Sequence, residues 1–103
     1  MNDYELLRLS AKATGFELEY RLGSDAFYYD DPDSGREQWD PLSDDGQALR
    51  LATKLGICIV FMEECDSVMA EHSTHGVMIV EAMDDYGTRR AIVRAAAEIG
   101  NRP

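Results

Sequence analysis

One stretch, residues 39–56, constrains the fold of this chain more than any other part of the sequence. It opens with a tryptophan and a proline, continues through acidic residues, and becomes an amphipathic helix that ends at Gly56. Asp44 is placed to cap this helix, and Gln47 follows three residues later, which is the spacing of a capping box. The stretch therefore predicts a helix at the centre of the fold with one face in the core, and it contains no catalytic signature.

Two further helices are predicted near the ends of the chain. Residues 3–13 place apolar side chains at helical spacing. Asn2 or Asp3 can cap the start of this helix, and Gly15 ends it. Residues 88–99 repeat the helical spacing between two glycines, so they predict a third helix.

The residues between the first two helices predict an antiparallel meander. Residues 16–22 alternate between apolar and charged side chains, which is typical of a half-buried strand. Residues 26–30 return as a second strand after a tight turn. A second turn at residues 31–35 leads to a short third strand at residues 36–40.

The second half of the chain predicts two more strands. Residues 57–62 are apolar and rich in branched side chains, which favours an inner strand with a buried thiol at Cys58. Residues 77–83 are its expected partner, and the polar residues 63–75 are expected to form a long loop. The predicted order is α-β-β-β-α-β-β-α. We expect one α+β domain over residues 1–103, with three helices on an antiparallel sheet of four to five strands.

The charge balance limits the classes of partner. The chain carries 20 acidic and 10 basic residues, which gives a formal charge of −10. Phosphate binding needs lysine and arginine to replace counterions, so this balance argues against direct contact with nucleic acid or an anionic membrane. It fits a partner protein with a basic surface, and the alternative that the acidic charge only keeps the protein soluble stays open.

The sequence also gives an expectation for the compartment. No apolar run reaches the roughly 18 residues of a membrane span. The acidic start, with no apolar run after it, predicts no secretory signal. Cys58 and Cys65 do not form a C-x-x-C pair, so a reducing cytoplasm is the expected environment.

Two segments resemble a known group of proteins. Residues 39–56 and the terminal run at 88–100, which reads Thr-Arg-Arg-Ala-Ile-Val-Arg-Ala-Ala-Ala-Glu-Ile-Gly, resemble small phage and prophage proteins, some described as phage "ABA sandwich" domains. The resemblance covers the two later helices and does not extend to residues 63–85. It implies a phage-encoded accessory protein in the cytoplasm of a bacterial host cell, of a kind that includes inhibitors of host defence. The family has no established catalytic residues, so the resemblance implies none here.

The strongest surface signal is an acidic stretch. Between residues 30 and 45, seven carboxylates are set against Arg36 alone. Clustered carboxylates at a turn attract a basic partner and orient it. Turn formation and helix capping explain several of these residues one by one, and this explanation stays open beside the functional one. The predicted partner-binding residues are Asp30, Asp31, Asp33, Glu37, Asp40 and, as an aromatic anchor, Tyr29.

These observations predict a binding protein without enzymatic activity. We expect it to inhibit a host defence or nucleic-acid-handling protein, for example a CRISPR effector, by occupying a basic groove. The sequence contains no phosphate-binding loop, nucleophile elbow, metalloprotease motif or dinucleotide fingerprint. It therefore predicts no catalytic residues, no cofactor and no resident metal.

Two alternatives stay open. The first is a small-ligand binder or sponge for nucleotide messengers, with a pocket formed between copies and lined by Arg89, Arg90 and aromatic side chains. The second, weaker alternative is a zinc protein that uses Cys65, His72 and His75 as ligands. Their spacing matches no standard zinc module, and a polar surface loop explains the same residues.

Overall fold

Three helices and six strands make up the fold of the computed structural model, which describes all residues from Met1 to Pro103. In chain order the elements are α1 (Asp3–Thr14), β1 (Glu19–Arg21), β2 (Ala26–Asp31), β3 (Gly35–Gln38), α2 (Asp45–Leu55), β4 (Cys58–Met62), β5 (Ser67–His72), β6 (Val77–Ala82) and α3 (Asp85–Gly100). A single 3₁₀ turn at Glu63–Cys65 connects β4 to β5. The predicted α+β class and approximate element order are confirmed, with one strand more than predicted.

The strands form two separate antiparallel sheets in place of the predicted single sheet of four to five strands. The first sheet has the order β1-β2-β3, and the second has the order β4-β5-β6. The helices lie between them. Helix α3 packs on β5, β6 and the other two helices, whereas the first sheet packs its aromatic side chains on α1. Both sheets therefore bury one face on a helix, and neither pairs with the other.

The unpredicted strand is β5, which occupies part of the expected loop at residues 63–75. It is hydrogen-bonded to β4 on one side and to β6 on the other. Val68 and Ala70 are fully buried on the face that α3 covers, whereas Ser67 and Glu71 lie on the opposite face. Only two side chains of this strand lie in the core. The alternation of apolar and polar residues is therefore too short to predict a strand from the sequence.

Two smaller expectations are also corrected by local geometry. Helix α3 begins at Asp85, three residues before the predicted start, because the Asp84 carboxylate accepts a hydrogen bond from the Gly87 amide (2.6 Å) and caps the helix there. The thiol of Cys58 is exposed, since this residue lies on the face of β4 that no helix covers.

Helix α3 is enclosed between α1 and the second sheet, and its sequence is suited to this position. Ala91, Ala95, Ala96 and Ala97 are fully buried, so the helix presents small side chains on almost every side. A Cβ atom at Gly100 would overlap the carbonyl oxygen of Leu9 in α1. Backbone therefore approaches backbone at this point, and only glycine leaves the space for it.

The chain between β3 and α2 is held to α1 by Trp39. Its indole Nε1 donates a hydrogen bond to the carbonyl oxygen of Leu7 (2.9 Å), and its ring packs edge-on against Phe16 and Tyr29. The side chain is buried, with its polar atom satisfied. This contact positions the start of α2 relative to α1.

We predict that Gly100→Ala lowers the free energy of unfolding by about 1–3 kcal/mol, because the added methyl group forces α1 and α3 apart. Gly23→Ala is the matched control, since nothing lies within 4 Å of its Cβ position. Urea unfolding followed by circular dichroism measures both. Equal stability of Gly100→Ala and the wild type would show that the two helices are not in backbone contact.

Candidate functional site

The N-terminal ends of all three helices meet at one end of the molecule. Asp3 in the first turn of α1 pairs with Arg90 in α3 (3.2 Å), and Asp45 in the first turn of α2 pairs with Arg89 in α3 (2.7 Å). Because Gly100, at the far end of α3, lies against the later part of α1, these two helices run parallel.

Parallel helices bring their positive dipole ends together, and the sequence places oxygen acceptors at each of them. The side chains of Asn2, Asp44 and Asp84 each accept a hydrogen bond from the backbone N–H three residues later, at 2.6–2.8 Å. The predicted caps of α1 and α2 are thereby confirmed. Carboxylates in the first turns add favourable interactions with the helix dipoles.

The turn between β4 and β5 adds more carboxylates at the same end. The Met83 amide donates to the carbonyl oxygen of Asp66 (3.1 Å), which holds this turn beside the start of α3. We call the combined surface the acidic end. Its residues are Asp3, Glu5, Asp44, Asp45, Glu63, Glu64, Asp66, Asp84 and Asp85. Sequence reasoning missed most of them because they come from four separated segments.

Two arginines tie the helix starts together at the acidic end. The Nε atom of Arg89 donates to the carbonyl oxygen of Leu42 (2.8 Å), in addition to its pair with Asp45. Arg90 pairs with Asp3 and with Glu81 (3.5 Å). A cation in the first turn of a helix is unfavourable for that helix, and here contacts with neighbouring elements offset the cost. Both guanidinium groups are therefore occupied, and the expected ligand pocket lined by Arg89 and Arg90 does not have free cations.

The six predicted partner-binding residues do not share one surface. Along β2 and β3, successive side chains point to opposite faces of the first sheet. Asp30 lies opposite Arg36 and pairs with it (3.1 Å) on the outer face. Glu37 lies opposite Tyr29 on the inner face, so the strand alternation separates it from Asp30.

Tyr29 is buried and is not the exposed anchor that the sequence suggested. Its side chain is only 2% exposed and packs between the rings of Phe16 and Trp39. Burial raises the pKa of the Tyr29 phenol, and the negative charges of Glu37 and Asp31 raise it further. Its position on the inner face of the first sheet, which covers the core, explains the difference.

The carboxylates of the β2–β3 turn have different environments. Asp31 accepts hydrogen bonds from the amides of Asp33 (2.8 Å) and Ser34 (3.1 Å), and these bonds lower the pKa of its carboxyl group. Asp33 is exposed at the turn, whereas Asp40 is half-buried beside α2. Asp31 therefore has a structural role in the turn, and Asp33 is the carboxylate of this segment that faces solvent freely.

A cleft of about 200 Å³ lies between the first sheet and α2, and it extends along the helix from Gln47 in the first turn to Lys54 in the last. Its lining includes three aromatic rings, two carboxylates and two cations: Phe16, Tyr29, Trp39, Asp31, Asp33, Arg50 and Lys54. We call it the aromatic cleft. Arg50 and Lys54 are one helical turn apart and form no ion pair, although the chain has 20 carboxylates. The ammonium group of Lys54 lies 4.3 Å from the centre of the Phe16 ring.

One buried amide holds the wall of the aromatic cleft in place. The Gln47 side chain accepts a hydrogen bond from the Asp40 amide and donates one to the carbonyl oxygen of Gln38, both at 2.6 Å. The predicted capping box is therefore half formed. The Asp44 carboxylate caps the Gln47 amide, but the Gln47 side chain fastens the connection from β3 to α2 instead.

The proposed zinc ligands are separated by a strand. Cys65 precedes β5 and His72 ends it, so the length of the strand places them roughly 20 Å apart. His72 and His75 are neighbours, with ring centres 4.6 Å apart. No group of three or more histidine, cysteine, aspartate or glutamate side chains is arranged to hold a metal ion.

Comparisons with known proteins gave no match, whether to a protein-family model, to a curated protein or to a solved structure. The resemblance of residues 39–56 and 88–100 to phage proteins therefore stays a prediction. None of the three helices combines the length and the apolar character that crossing a membrane requires.

We predict that Gln47→Leu lowers the free energy of unfolding by about 1–3 kcal/mol, because it leaves the part-buried Asp40 amide and Gln38 carbonyl group without partners. Gln38→Leu is the control, since the same substitution there changes an exposed side chain with no side-chain hydrogen bond. Chemical denaturation measures both variants. A small effect of Gln47→Leu would mean that water replaces the amide and that the wall of the cleft is open to solvent.

Proposed function

We propose that this protein acts by binding, without catalysis, and that its acidic end docks on a basic surface of a partner protein. The observation that carries the proposal is the convergence of three helix starts and the β4–β5 turn. Nine carboxylates meet there, with Arg89 and Arg90 as the arginines that pair with them. Such a concentration creates a field that attracts a positive surface and sets its orientation.

Helix capping accounts for only part of this charge. The carboxylates at the helix starts have a local role, since they stabilise the helix dipoles. Glu63 and Glu64 are exposed and make no side-chain hydrogen bond or ion pair, and Asp66 holds its turn through its backbone. The charges of Glu63, Glu64 and Asp66 repel the other carboxylates of this surface and so disfavour the folded state. A role in binding gives a reason for their presence.

The acidic end is also held rigidly, which favours recognition. The pairs of Arg89 with Asp45 and of Arg90 with Asp3 fix the helix starts relative to one another. A rigid array of carboxylates can occupy a groove that normally holds nucleic-acid phosphates, without the cost of ordering a flexible segment. Inhibition of a host defence or nucleic-acid-handling protein, such as a CRISPR effector, is the form of this activity that we propose. The acidic end and the resemblance to phage accessory proteins support it together.

The contact surface proposed here differs from the one expected from residues 30–40. Of that set, Asp30 is paired with Arg36, Asp31 stabilises its turn and Tyr29 is buried. The acidic end offers more unpaired carboxylates on one surface.

We predict that the combined change Glu63→Lys, Glu64→Lys and Asp85→Lys weakens capture of the partner from a bacterial lysate by about 100-fold, because like charges then oppose docking. None of the three side chains accepts a capping hydrogen bond or forms an ion pair, and a lysine in the first turn of α3 costs only about 0.3–1 kcal/mol, so the fold is retained. The matched control is Glu17→Lys, Asp33→Lys and Glu98→Lys, which makes the same change in net charge at the opposite end of the helices. Affinity purification with quantitative mass spectrometry measures both. Loss of capture by the control alone would locate the contact at the β2–β3 turn instead.

A second candidate function is the binding of a small anionic ligand in the aromatic cleft. The specific observation is that Arg50 and Lys54 stay unpaired beside three aromatic rings, while Asp31 and Asp33 line the same cleft. A nucleotide offers matching chemistry, since its base can stack and donate hydrogen bonds while its phosphates meet cations. The cleft is smaller than the roughly 300–1,000 Å³ of typical ligand pockets, so it would hold the base and leave the phosphates at the rim.

For this second function, we predict that replacing both Arg50 and Lys54 with alanine reduces nucleotide affinity by at least about 10-fold. Isothermal titration with mononucleotides and cyclic dinucleotides measures the effect. The control is the double change Arg8→Ala and Lys12→Ala, which removes two unpaired cations one turn apart on α1. Absence of binding to the wild type, or equal loss in both variants, would contradict a site in the aromatic cleft.

A further inference from the structure

A groove between α1 and β1 differs in charge from most of the surface. It has a volume of about 520 Å³, and its lining includes four aromatic rings and two cations: Tyr4, Phe16, Tyr20, Phe27, Arg8 and Lys12. We call it the basic groove. Both cations are exposed and form no ion pair, and no carboxylate lines the groove, although the chain has 20 carboxylates. A negatively charged occupant therefore complements this groove.

The aromatic rings and the cations follow one another along the groove. Tyr4, Arg8 and Lys12 lie at intervals of one turn on the same face of α1. The Tyr4 ring packs against Tyr20 and Phe27, with ring centres 5.7 and 5.0 Å away. One end of the groove therefore fits an apolar side chain, and the stretch beside the two cations fits acidic side chains.

The strand that borders the basic groove has a free edge. β1 is the outer strand of the first sheet and pairs only with β2. The carbonyl oxygen of Phe27 accepts a hydrogen bond from the Trp39 amide (2.8 Å), so the backbone groups of Phe27 point away from β1. Tyr20 lies opposite Phe27 in this antiparallel pair, and its own N–H and C=O therefore point into the open edge. They offer one donor and one acceptor beside the groove.

We propose that the basic groove binds an extended acidic segment of a partner protein, which adds to the first sheet as a strand beside β1. In this mode of recognition the main-chain hydrogen bonds provide affinity, and alternate side chains provide specificity. Side chains that point the same way as Tyr20 enter the groove. An apolar one packs on the aromatic rings, and acidic ones pair with Arg8 and Lys12.

The length of the groove suits such a segment. From Tyr4 to Lys12 it follows eight residues of α1, or about 12 Å, which corresponds to about four residues of an extended chain. Carboxylates near β1 do not repel it from within the groove. Glu19 pairs with Arg21 and Arg36, and Glu17 lies outside the lining.

An extended chain matches this site better than a small organic anion does. A small anion can pair with Arg8 and Lys12 and stack on the rings, but it leaves the N–H and C=O of Tyr20 without a partner from the ligand. A polypeptide uses the cations, the rings and the strand edge together. The free backbone edge is therefore the feature that identifies the class of ligand.

The probe is the peptide acetyl-Thr-Phe-Thr-Glu-Thr-Glu-Thr-amide, which places phenylalanine and both glutamates on one side of a strand. It is titrated into the full isotope-labelled chain and followed by NMR. We expect a dissociation constant of about 0.1–1 mM and shifts of the Leu18 and Tyr20 amide signals. No binding up to about 5 mM, or shifts confined to the aromatic cleft, would overturn the proposal.

Paired variants test the charge complementarity. Arg8→Ala together with Lys12→Ala is expected to weaken peptide binding by at least about 10-fold, because two charge-assisted contacts are lost. The control is Arg50→Ala together with Arg102→Ala, which removes the same charge outside the groove and is expected to change affinity by less than about twofold. Circular dichroism shows that both variants fold. Equal loss in the two variants, or equal affinity for a peptide with lysine in place of both glutamates, contradicts the basic groove.

Backbone methylation of the peptide tests strand addition. One version carries N-methyl groups on its threonines, and the other carries them on phenylalanine and both glutamates, so each blocks the donors of one edge. One version is expected to bind at least about 10-fold more weakly, and the other within about threefold of the parent peptide. Equal affinity of all three peptides would show that no strand forms. None of these measurements requires the partner of the acidic end, so their outcome is independent of the proposed function.

Discussion

The close packing of α3 against α1 is the contact on which the rest of the structure depends. Helix α3 is covered on one side by α1 and on the other by the second sheet, so it can carry only small side chains at most positions. Gly100 allows its backbone to touch the carbonyl oxygen of Leu9. This contact, together with the pair of Arg90 and Asp3 at the other end, makes the two helices parallel. Parallel packing then decides where the helix dipoles, and hence the charges, are placed.

A separation of charge along the helices follows from that arrangement. The helix starts concentrate carboxylates at one end, whereas Arg50 and Lys54, farther along α2, line the aromatic cleft beside the first sheet. Only five of the twenty carboxylates form ion pairs, so most of the negative charge is exposed to partners.

Local patterns predicted much of the fold and little of the candidate site. The cap at Asp44 and the glycine end of α2 depend on a few neighbouring residues, and the structure has both. Strand β5 was not predicted because two buried side chains are too few to form a recognisable alternation of apolar and polar residues. The prediction of an exposed Tyr29 is wrong because alternation along a strand shows which residues share a face of the sheet. It does not show which face packs against a helix.

The amino-acid sequence by itself determined the helices, their caps, the turns and the excess of negative charge, because these depend on interactions within a few residues of one another. Only the tertiary structure decided that the strands divide into two sheets and that the helix starts converge. It also decided that the acidic stretch at residues 30–45 is split between two faces and two ends. The physical reason is that a charged side chain can form a turn or cap a helix equally well on any surface of the protein. Its neighbours from distant segments are fixed only when the small residues of α3 let the helices pack in parallel.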